Sequence, residues 1–320
     1  MQGREGHTPV PGGPAVTRGS PKNIAASVRQ RLLDKARETG RPFNELLQYF
    51  AMERFLYRLS KSPYADSFVL KGALMLTVWE APFTRPTLDI DLLGRVDNRI
   101  ETIISVTRKI CIQEVEPDGL AFDIATIEAE RIAEDADYEG IRVRFRGSLG
   151  TARIVMQLDI GFGDVVIPSP EPMNYPTLLD LPAPHLRGYS RESTIAEKFE
   201  AMVKLGVLNS RMKDFFDIWL MSHQFDFNGA TLAEAILKTF STRGTKIPAE
   251  PLALTDAFAE DATKAAQWRG LLRRNRLSEA PKDLTEVIMS IGAFLKPISE
   301  SLAAGHVFKS IWKAPGPWSE

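Results

Sequence analysis

The chain has 320 residues, of which 44% are hydrophobic and 25% are charged, a composition typical of globular proteins with room for two domains. Its 40 basic and 41 acidic side chains leave a formal net charge of -1, so a surface that binds nucleic acid would have to be local. A single cysteine, Cys111, excludes an internal disulfide and favours a reducing compartment. The four histidines lack ligand spacing, which argues against a zinc site.

No hydrophobic run reaches the length of a membrane span, and residues 1–22 lack the apolar core of a signal peptide. We therefore expect a cytoplasmic protein whose Gly- and Pro-rich residues 1–22 form a disordered leader. Two amphipathic helices are predicted between Ile24 and Ser60, with a break at Gly40 and a second start near Pro42 and Asn44.

The segment from Phe68 to Leu93 is predicted to form a strand, a Lys-Gly turn, a short helix, a polar loop and a second strand. Asp89 and Asp91 lie on that second strand and project from the same face, because side chains alternate along a strand. Two carboxylates held this close repel each other unless a divalent cation or a proton neutralises them. The alternative is a solvated strand edge, but the apolar residues around the pair favour a metal site.

The turn formed by Lys71 and Gly72 predicts a phosphate site beside the carboxylates. A glycine between a strand and a helix lets a phosphate approach backbone N–H groups at the positive end of the helix dipole. Lys71 adds a point charge. Arg85 either contacts phosphate or is a loop residue that makes no contact with the ligand. Phosphate binding next to paired carboxylates is typical of a nucleoside triphosphate site.

A helix is predicted near Asn98–Ile112, followed by strands at Ala121–Ile127, Ile141–Gly147 and Thr151–Asp159. Along the last strand, Val155, Gln157 and Asp159 alternate with apolar residues that face the other way. If this strand lies beside the strand of Asp89, then Asp159 supplies a third carboxylate to the metal site.

The Pro-rich segment Pro168–Tyr189 is predicted to cross from a sheet-containing part to a helical part. The helices expected beyond it are Arg191–Leu205, Ser210–Ser222, Gly229–Phe240, Asp261–Arg274 and Leu284–Ala303. Lys198 and Asp214 fall on the apolar stripes of the first two. Because an isolated buried charge is costly, these residues form either a structural ion pair or part of a ligand site. The basic run Gln267–Arg276 is either a polynucleotide contact or a solvated helix face.

Five segments occur in the order LKGALML, RPTLDIDLL, ARIVMQLDIGFGD, STIAEKFEAMV and SRMKDFFDIW, from about Asp66 to Met221. Together they resemble the AbiEii/MenT group of nucleotidyltransferase-like toxins of type IV toxin-antitoxin and abortive-infection systems. The resemblance implies an α+β fold with a DNA polymerase β-like nucleotidyltransferase core, a mixed sheet with helices, at residues 23–189. A helical C-terminal domain would follow at residues 190–320.

The residue patterns and the resemblance together predict a set of site residues. The metal ligands, for Mg2+ or Mn2+, would be Asp89, Asp91 and Asp159. The residues that bind the NTP substrate would be Lys71, Gly72, Ala73, Arg85 and Lys198. Ala73 stands where many nucleotidyltransferases have a residue with a hydroxyl group, so only backbone N–H groups would be available to bind the terminal phosphate there. Lys198 and Asp214 would complete the catalytic set with the three metal-binding acids.

The implied reaction transfers NMP from an NTP to the 3' end of tRNA, which would block translation, and the implied protein partner is a cognate antitoxin. Two rival functions stay open. One is nucleotidyl transfer to a protein hydroxyl or a small molecule, and the other is a non-catalytic toxin that binds nucleotide or RNA. Retention of the three acids and Lys198 favours an enzyme, and whether Asp159 is a metal ligand or a base also stays open.

Overall fold

The computed structural model of the chain describes residues 23–81, 85–135 and 138–320. The predicted leader at residues 1–22 lies outside this range. Two N-terminal helices are confirmed, α1 (Ile24–Thr39) and α2 (Phe43–Lys61). Asn23 caps the start of α1 by accepting a hydrogen bond from the N–H of Ala26, and Gly40 ends it in the left-handed region at φ 69°.

A seven-stranded mixed sheet follows, in the spatial order β3-β4-β5-β2-β1-β7-β6. Its strands are β1 (Phe68–Lys71), β2 (Ile90–Gly94), β3 (Leu120–Asp135), β4 (Tyr138–Leu149), β5 (Ala152–Phe162), β6 (Glu171–Asn174) and β7 (His185–Gly188). The pairs β2–β5 and β1–β7 are parallel, and the other neighbours are antiparallel. The α+β class with a mixed sheet is therefore confirmed.

Strand register brings together residues that are far apart in sequence. The parallel pairing of β2 with β5 sets Asp91 opposite Asp159, so the neighbour relation on which the third carboxylate depended is confirmed. The antiparallel pairing of β1 with β2 sets Lys71 opposite Asp91. On β5 the predicted alternation also holds, since Met156 is fully buried whereas Val155 is 65% exposed.

Two sequence predictions about this sheet are wrong. Pro168–Tyr189 is more than a crossing segment, because it contains β6 and β7, and β7 joins the sheet beside β1. Both strands are only four residues long, which is too short for a periodic pattern to be recognised in the sequence. Pro172 is tolerated because β6 is an edge strand. Asp89 does not belong to the second strand, which begins at Ile90; it lies just before it.

Helices cover the sheet and form the rest of the chain. Beside the sheet lie α3 (Leu74–Val78) and α4 (Ile100–Cys111). The helical part contains α5 (Arg191–Leu205), α6 (Met212–Gln224), α7 (Gly229–Thr242), α8 (Asp256–Ala259), α9 (Ala262–Asn275) and α10 (Leu284–Ala303). A small sheet of β8 (Phe227–Asn228), β9 (Ile311–Trp312) and β10 (Trp318–Ser319) packs among them. Within the described residues, no helix combines the length and the apolar character that crossing a bilayer requires.

Two hydrophobic clusters meet at α3, the short helix that follows Gly72. Leu74 and Met75 belong to the cluster formed by the sheet, α2 and α4. Leu76 belongs to the cluster formed by the helical part, where it is 2% exposed. The helix therefore joins both clusters, and the turn before it is held in place by both.

We expect Leu76→Ala to lower the free energy of unfolding by about 3 kcal/mol, because it leaves a cavity where the two clusters meet. The matched control is Leu208→Ala, since Leu208 is 82% exposed and its side chain contributes little burial. Urea unfolding of the wild type and both variants measures the difference. Equal losses in the two variants would contradict the assignment of Leu76 to the core.

Candidate active site

Three carboxylates form a cluster where the start of β2 pairs with β5. Asp89, Asp91 and Asp159 each offer an oxygen atom, and these oxygen atoms all lie within 4.8 Å of one another. The hydroxyl of Thr87 donates a hydrogen bond to Asp89, and the backbone N–H of Thr87 donates to the hydroxyl of Tyr49. The loop before β2 is thereby fixed to α2, which holds Asp89 beside the strand rather than on it.

Gly72 makes room for this cluster. Its φ is +72°, and a Cβ atom at this position would lie 2.0 Å from Oδ2 of Asp91. The sequence suggested that this glycine lets a phosphate approach the backbone. The structure shows a second reason for a glycine at this position: no larger residue leaves space for the carboxylate of Asp91.

The cluster is suited to a divalent cation. Burial and the neighbouring charge of Asp89 raise the pKa of Asp91 to about 7, against the opposing charges of Lys213 and Lys71. A carboxyl with this pKa binds a proton readily near neutral pH, and a divalent cation would replace that proton while relieving the repulsion. Oxygen ligands of this kind match Mg2+ and Mn2+ in chemistry.

Arg142 holds the third carboxylate. It lies on β4 opposite Asp159, and its Nε and one terminal nitrogen approach the two carboxylate oxygens at 2.8 and 2.6 Å. Gln157 donates a further hydrogen bond to the same carboxylate at 3.3 Å. Sequence reasoning missed Arg142, although the alternation of arginines in IRVRFRG was a usable signal. The two hydrogen bonds from Arg142 fix the orientation of the Asp159 carboxylate, and they leave fewer of its oxygen lone pairs for a metal ion.

A network of ion pairs on α5 and α6 faces the acids. The Nζ atom of Lys198 lies 2.8 Å from Asp214 and 2.7 Å from Asp217. Arg85 binds Asp217 through two nitrogens at 2.9 and 3.0 Å, and Arg211 binds Asp214 at 2.9 Å. The structure thus contains the ion pair between Lys198 and Asp214 that the sequence left as one alternative. Asp217 was not predicted as a site residue, although it is the acid that joins Lys198 to Arg85.

Lys71 belongs to a separate network. Its Nζ atom lies 2.9 Å from both Asp164 and Glu197, and Arg243 approaches the same two acids at 3.0 and 3.5 Å. The hydroxyl of Tyr189 donates a hydrogen bond to Glu197. Lys71 is therefore already neutralised by carboxylates, and its predicted contact with phosphate stays a prediction.

These groups line one open cleft with a volume of about 340 Å³. Of the predicted residues, the cleft brings together Lys71, Gly72, Arg85, Asp89, Asp91, Asp159, Lys198 and Asp214. It also includes residues that the sequence did not single out: Arg142, Tyr189, Thr194, Glu197, Ala201, Arg211, Lys213 and Arg243. Ala73 is 5% exposed and is not among the lining residues, so its part in nucleotide binding stays a prediction.

Residues 54–290 match the family described as nucleotidyl transferase AbiEii toxin of type IV toxin-antitoxin systems. The chain belongs to the AbiEii family. It is thus a nucleotidyltransferase of a toxin family, and the type IV system to which this family belongs implies an antitoxin partner and a nucleotide substrate.

Among solved structures, a putative nucleotidyltransferase from Helicobacter pylori is 16% identical, with a TM-score of 0.44 over 81% of this chain and 96% of the other. JHP933 from Helicobacter pylori is 14% identical, with a TM-score of 0.42 over 82% of this chain and 94% of the other. No curated protein sequence matches the AbiEii chain.

We expect Gly72→Ala to weaken cation binding by the carboxylate cluster of this AbiEii chain, because the new methyl group displaces Asp91. The affinity for Mn2+, measured by calorimetry, should fall about 10- to 100-fold. Gly244→Ala is the matched control, since Gly244 has a similar φ of +66° but nothing within 4 Å of the added Cβ. Both variants carry a backbone strain of about 1–2 kcal/mol, so a loss of Mn2+ binding in both would show that strain alone causes it.

Asp217 should stabilise the fold in a pH-dependent way. Burial opposes its ionisation, but Arg85 and Lys198 outweigh burial and lower the pKa of Asp217 from 3.8 to about 2. The stabilisation is therefore complete above the unfolded pKa near 3.8 and is lost as the pH falls through about 2. At pH 7 we expect Asp217→Asn to lower the free energy of unfolding by at least about 2 kcal/mol.

Urea unfolding of Asp217→Asn between pH 7 and pH 3 tests this expectation. The difference from the wild type should be constant down to about pH 4 and shrink below it. Asp226→Asn serves as the control, because Asp226 pairs with Lys313 at the exposed surface and should change stability far less. A difference that grows as the pH falls would contradict the assigned ion pairs.

Proposed function

We propose that the chain transfers NMP from an NTP to the 3' end of a tRNA, in a reaction that requires Mg2+ or Mn2+, and thereby blocks translation. The observation that carries this proposal is the division of charge across the cleft. On the sheet side, Asp89, Asp91 and Asp159 lie together, and Arg142 binds Asp159. Across the cleft lies a group of cations that outnumber the carboxylates bound to them.

The positive wall is defined here as four cations that line the cleft. Arg85 comes from the loop before β2, and Lys198, Arg211 and Lys213 come from α5 and the start of α6. The carboxylates bound to them are Asp214 and Asp217. An excess of positive charge opposite a cluster of acids suits a metal-bound triphosphate, whose metal side needs carboxylates and whose phosphate oxygens need cations.

Asp89, Asp91 and Asp159 would hold the metal, and a bound divalent ion would neutralise charge on the phosphates and clamp the oxygens of an in-line displacement. The protein contributes orientation. Gly72 leaves space for Asp91, and Arg142 fixes the rotation of Asp159.

Three cations of the positive wall, Arg85, Lys198 and Arg211, are fixed before substrate binds. Asp217 binds both Arg85 and Lys198, and Asp214 binds both Lys198 and Arg211. Burial lowers the pKa of Lys198, but Asp214 and Asp217 outweigh it and raise that pKa, so this ammonium stays charged. A wall of charged donors that does not reorganise favours binding of the charge that develops at the phosphates.

The tRNA acceptor is inferred from the family resemblance, and the cleft is open to solvent, as access by the end of a polymer requires. The basic run Gln267–Arg276, for which the sequence left a polynucleotide contact and a solvated helix face as alternatives, exposes Arg269, Arg273, Arg274 and Arg276. NTP and tRNA substrates would place the reaction in the cytoplasm. The partner that we infer is the cognate antitoxin.

The test is incubation of the purified chain with Mg2+, each radiolabelled NTP in turn, total tRNA and lysate proteins. We expect label in tRNA. In Asp89→Asn, incorporation should fall at least about 100-fold, because a charge that stabilises the transition state is lost. Asp66→Asn is the control, since Asp66 is 93% exposed and lies outside the cleft.

Each outcome bears on a different part of the proposal. Label in protein alone would replace tRNA with a protein hydroxyl as the acceptor. Label in neither polymer would leave the small-molecule and binding alternatives. If Asp89→Asn folds normally and is as toxic on expression as the wild type, the catalytic proposal is wrong.

A further inference from the structure

Lys213 differs from the other cations of the cleft. The other six are each bound to at least one carboxylate: Lys71, Arg85, Arg142, Lys198, Arg211 and Arg243. A cation held by one or two buried carboxylates has most of its charge cancelled before a phosphate arrives. These six cations shape the cleft, but their residual attraction for a polyphosphate is reduced.

Lys213 has no such partner. It lies in the first turn of α6 between Met212 and Asp214, which are 3% and 1% exposed, yet its own side chain is exposed and lines the cleft. Across the described part of the chain, no carboxylate lies within ion-pair distance of its Nζ atom. Its charge is therefore uncancelled, and its flexible stem lets the ammonium follow a ligand.

Lys213 shares the cleft with the acid cluster. Asp89, Asp91 and Asp159 line it from the sheet, and Lys213 lines it from the first turn of α6. A phosphate that bridges a metal ion at Asp91 and the positive wall would lie between the two.

We propose that Lys213 binds the terminal phosphates of the NTP. This inference rests on the proposed function, and it names the residue that supplies the uncancelled charge. Lysine binds phosphate as a point charge with charge-assisted hydrogen bonds, which are about twice as strong as neutral ones. The terminal phosphates carry the charge that distinguishes a triphosphate from a monophosphate, so Lys213 should select for the triphosphate.

The experiment measures equilibrium binding of the four NTPs and the four matching NMPs, with Mn2+ and without an acceptor, to full-length variants. Lys213→Gln should weaken NTP binding about 10-fold or more and change NMP binding less than about 2-fold. Lys213→Arg keeps the charge and should stay within about 3-fold of the wild type. Lys238→Gln on α7 is the matched control, because Lys238 is exposed and lies outside the cleft.

The outcomes separate this proposal from the proposed function. If the wild type binds no NTP, both are wrong. If the wild type binds NTP and Lys213→Gln binds it equally tightly, only the assignment of Lys213 is wrong. Equal weakening of NTP and NMP, or weaker binding of tRNA with NTP binding intact, would also overturn it. Thermal unfolding should be the same for all variants, since Lys213 has no partner to lose.

Discussion

Repulsion among three carboxylates is the constraint on which the site depends. Asp89, Asp91 and Asp159 offer oxygen atoms within 4.8 Å of one another, and each added negative charge at this separation opposes ionisation of the others. The raised pKa of Asp91 is the direct sign of this repulsion and of burial. The fold keeps the cluster because strand pairing places Asp91 and Asp159 side by side and because Arg142 cancels part of the charge.

Most of the other charged residues that line the cleft with the three carboxylates are held in place by ion pairs. Buried ion pairs in proteins often contribute little net stability, because the cost of removing two charges from water offsets their attraction. Here they fix the positions of cations that face the acids, as Asp217 does for Arg85 and Lys198. These ion pairs therefore orient the cations more than they stabilise the fold. A site for a highly charged substrate requires cations that are oriented in this way.

The second network, around Lys71 and Arg243, has a different consequence. Asp164 follows β5, Glu197 lies on α5 and Arg243 follows α7, so these ion pairs join the sheet to the helical part at the cleft itself. Together with Leu76 in the helical core, they fix the distance between the three clustered acids and the positive wall. Membership of the AbiEii family gives this arrangement its chemistry, nucleotidyl transfer.

The sequence by itself determined what is local. Periodicity placed most helices and strands, and the charged residues Lys198 and Asp214 on apolar stripes predicted buried charges that need partners. The prediction from sequence failed where the signal was too short, as for β6 and β7, which are four residues long and lie in a Pro-rich segment. Only the tertiary structure decided which charges meet: that Arg142 binds Asp159, that Asp217 links Arg85 to Lys198, and that Lys213 stays uncancelled. Pairing across strands and helices depends on register and packing between distant segments, and periodicity within one segment contains no information about either.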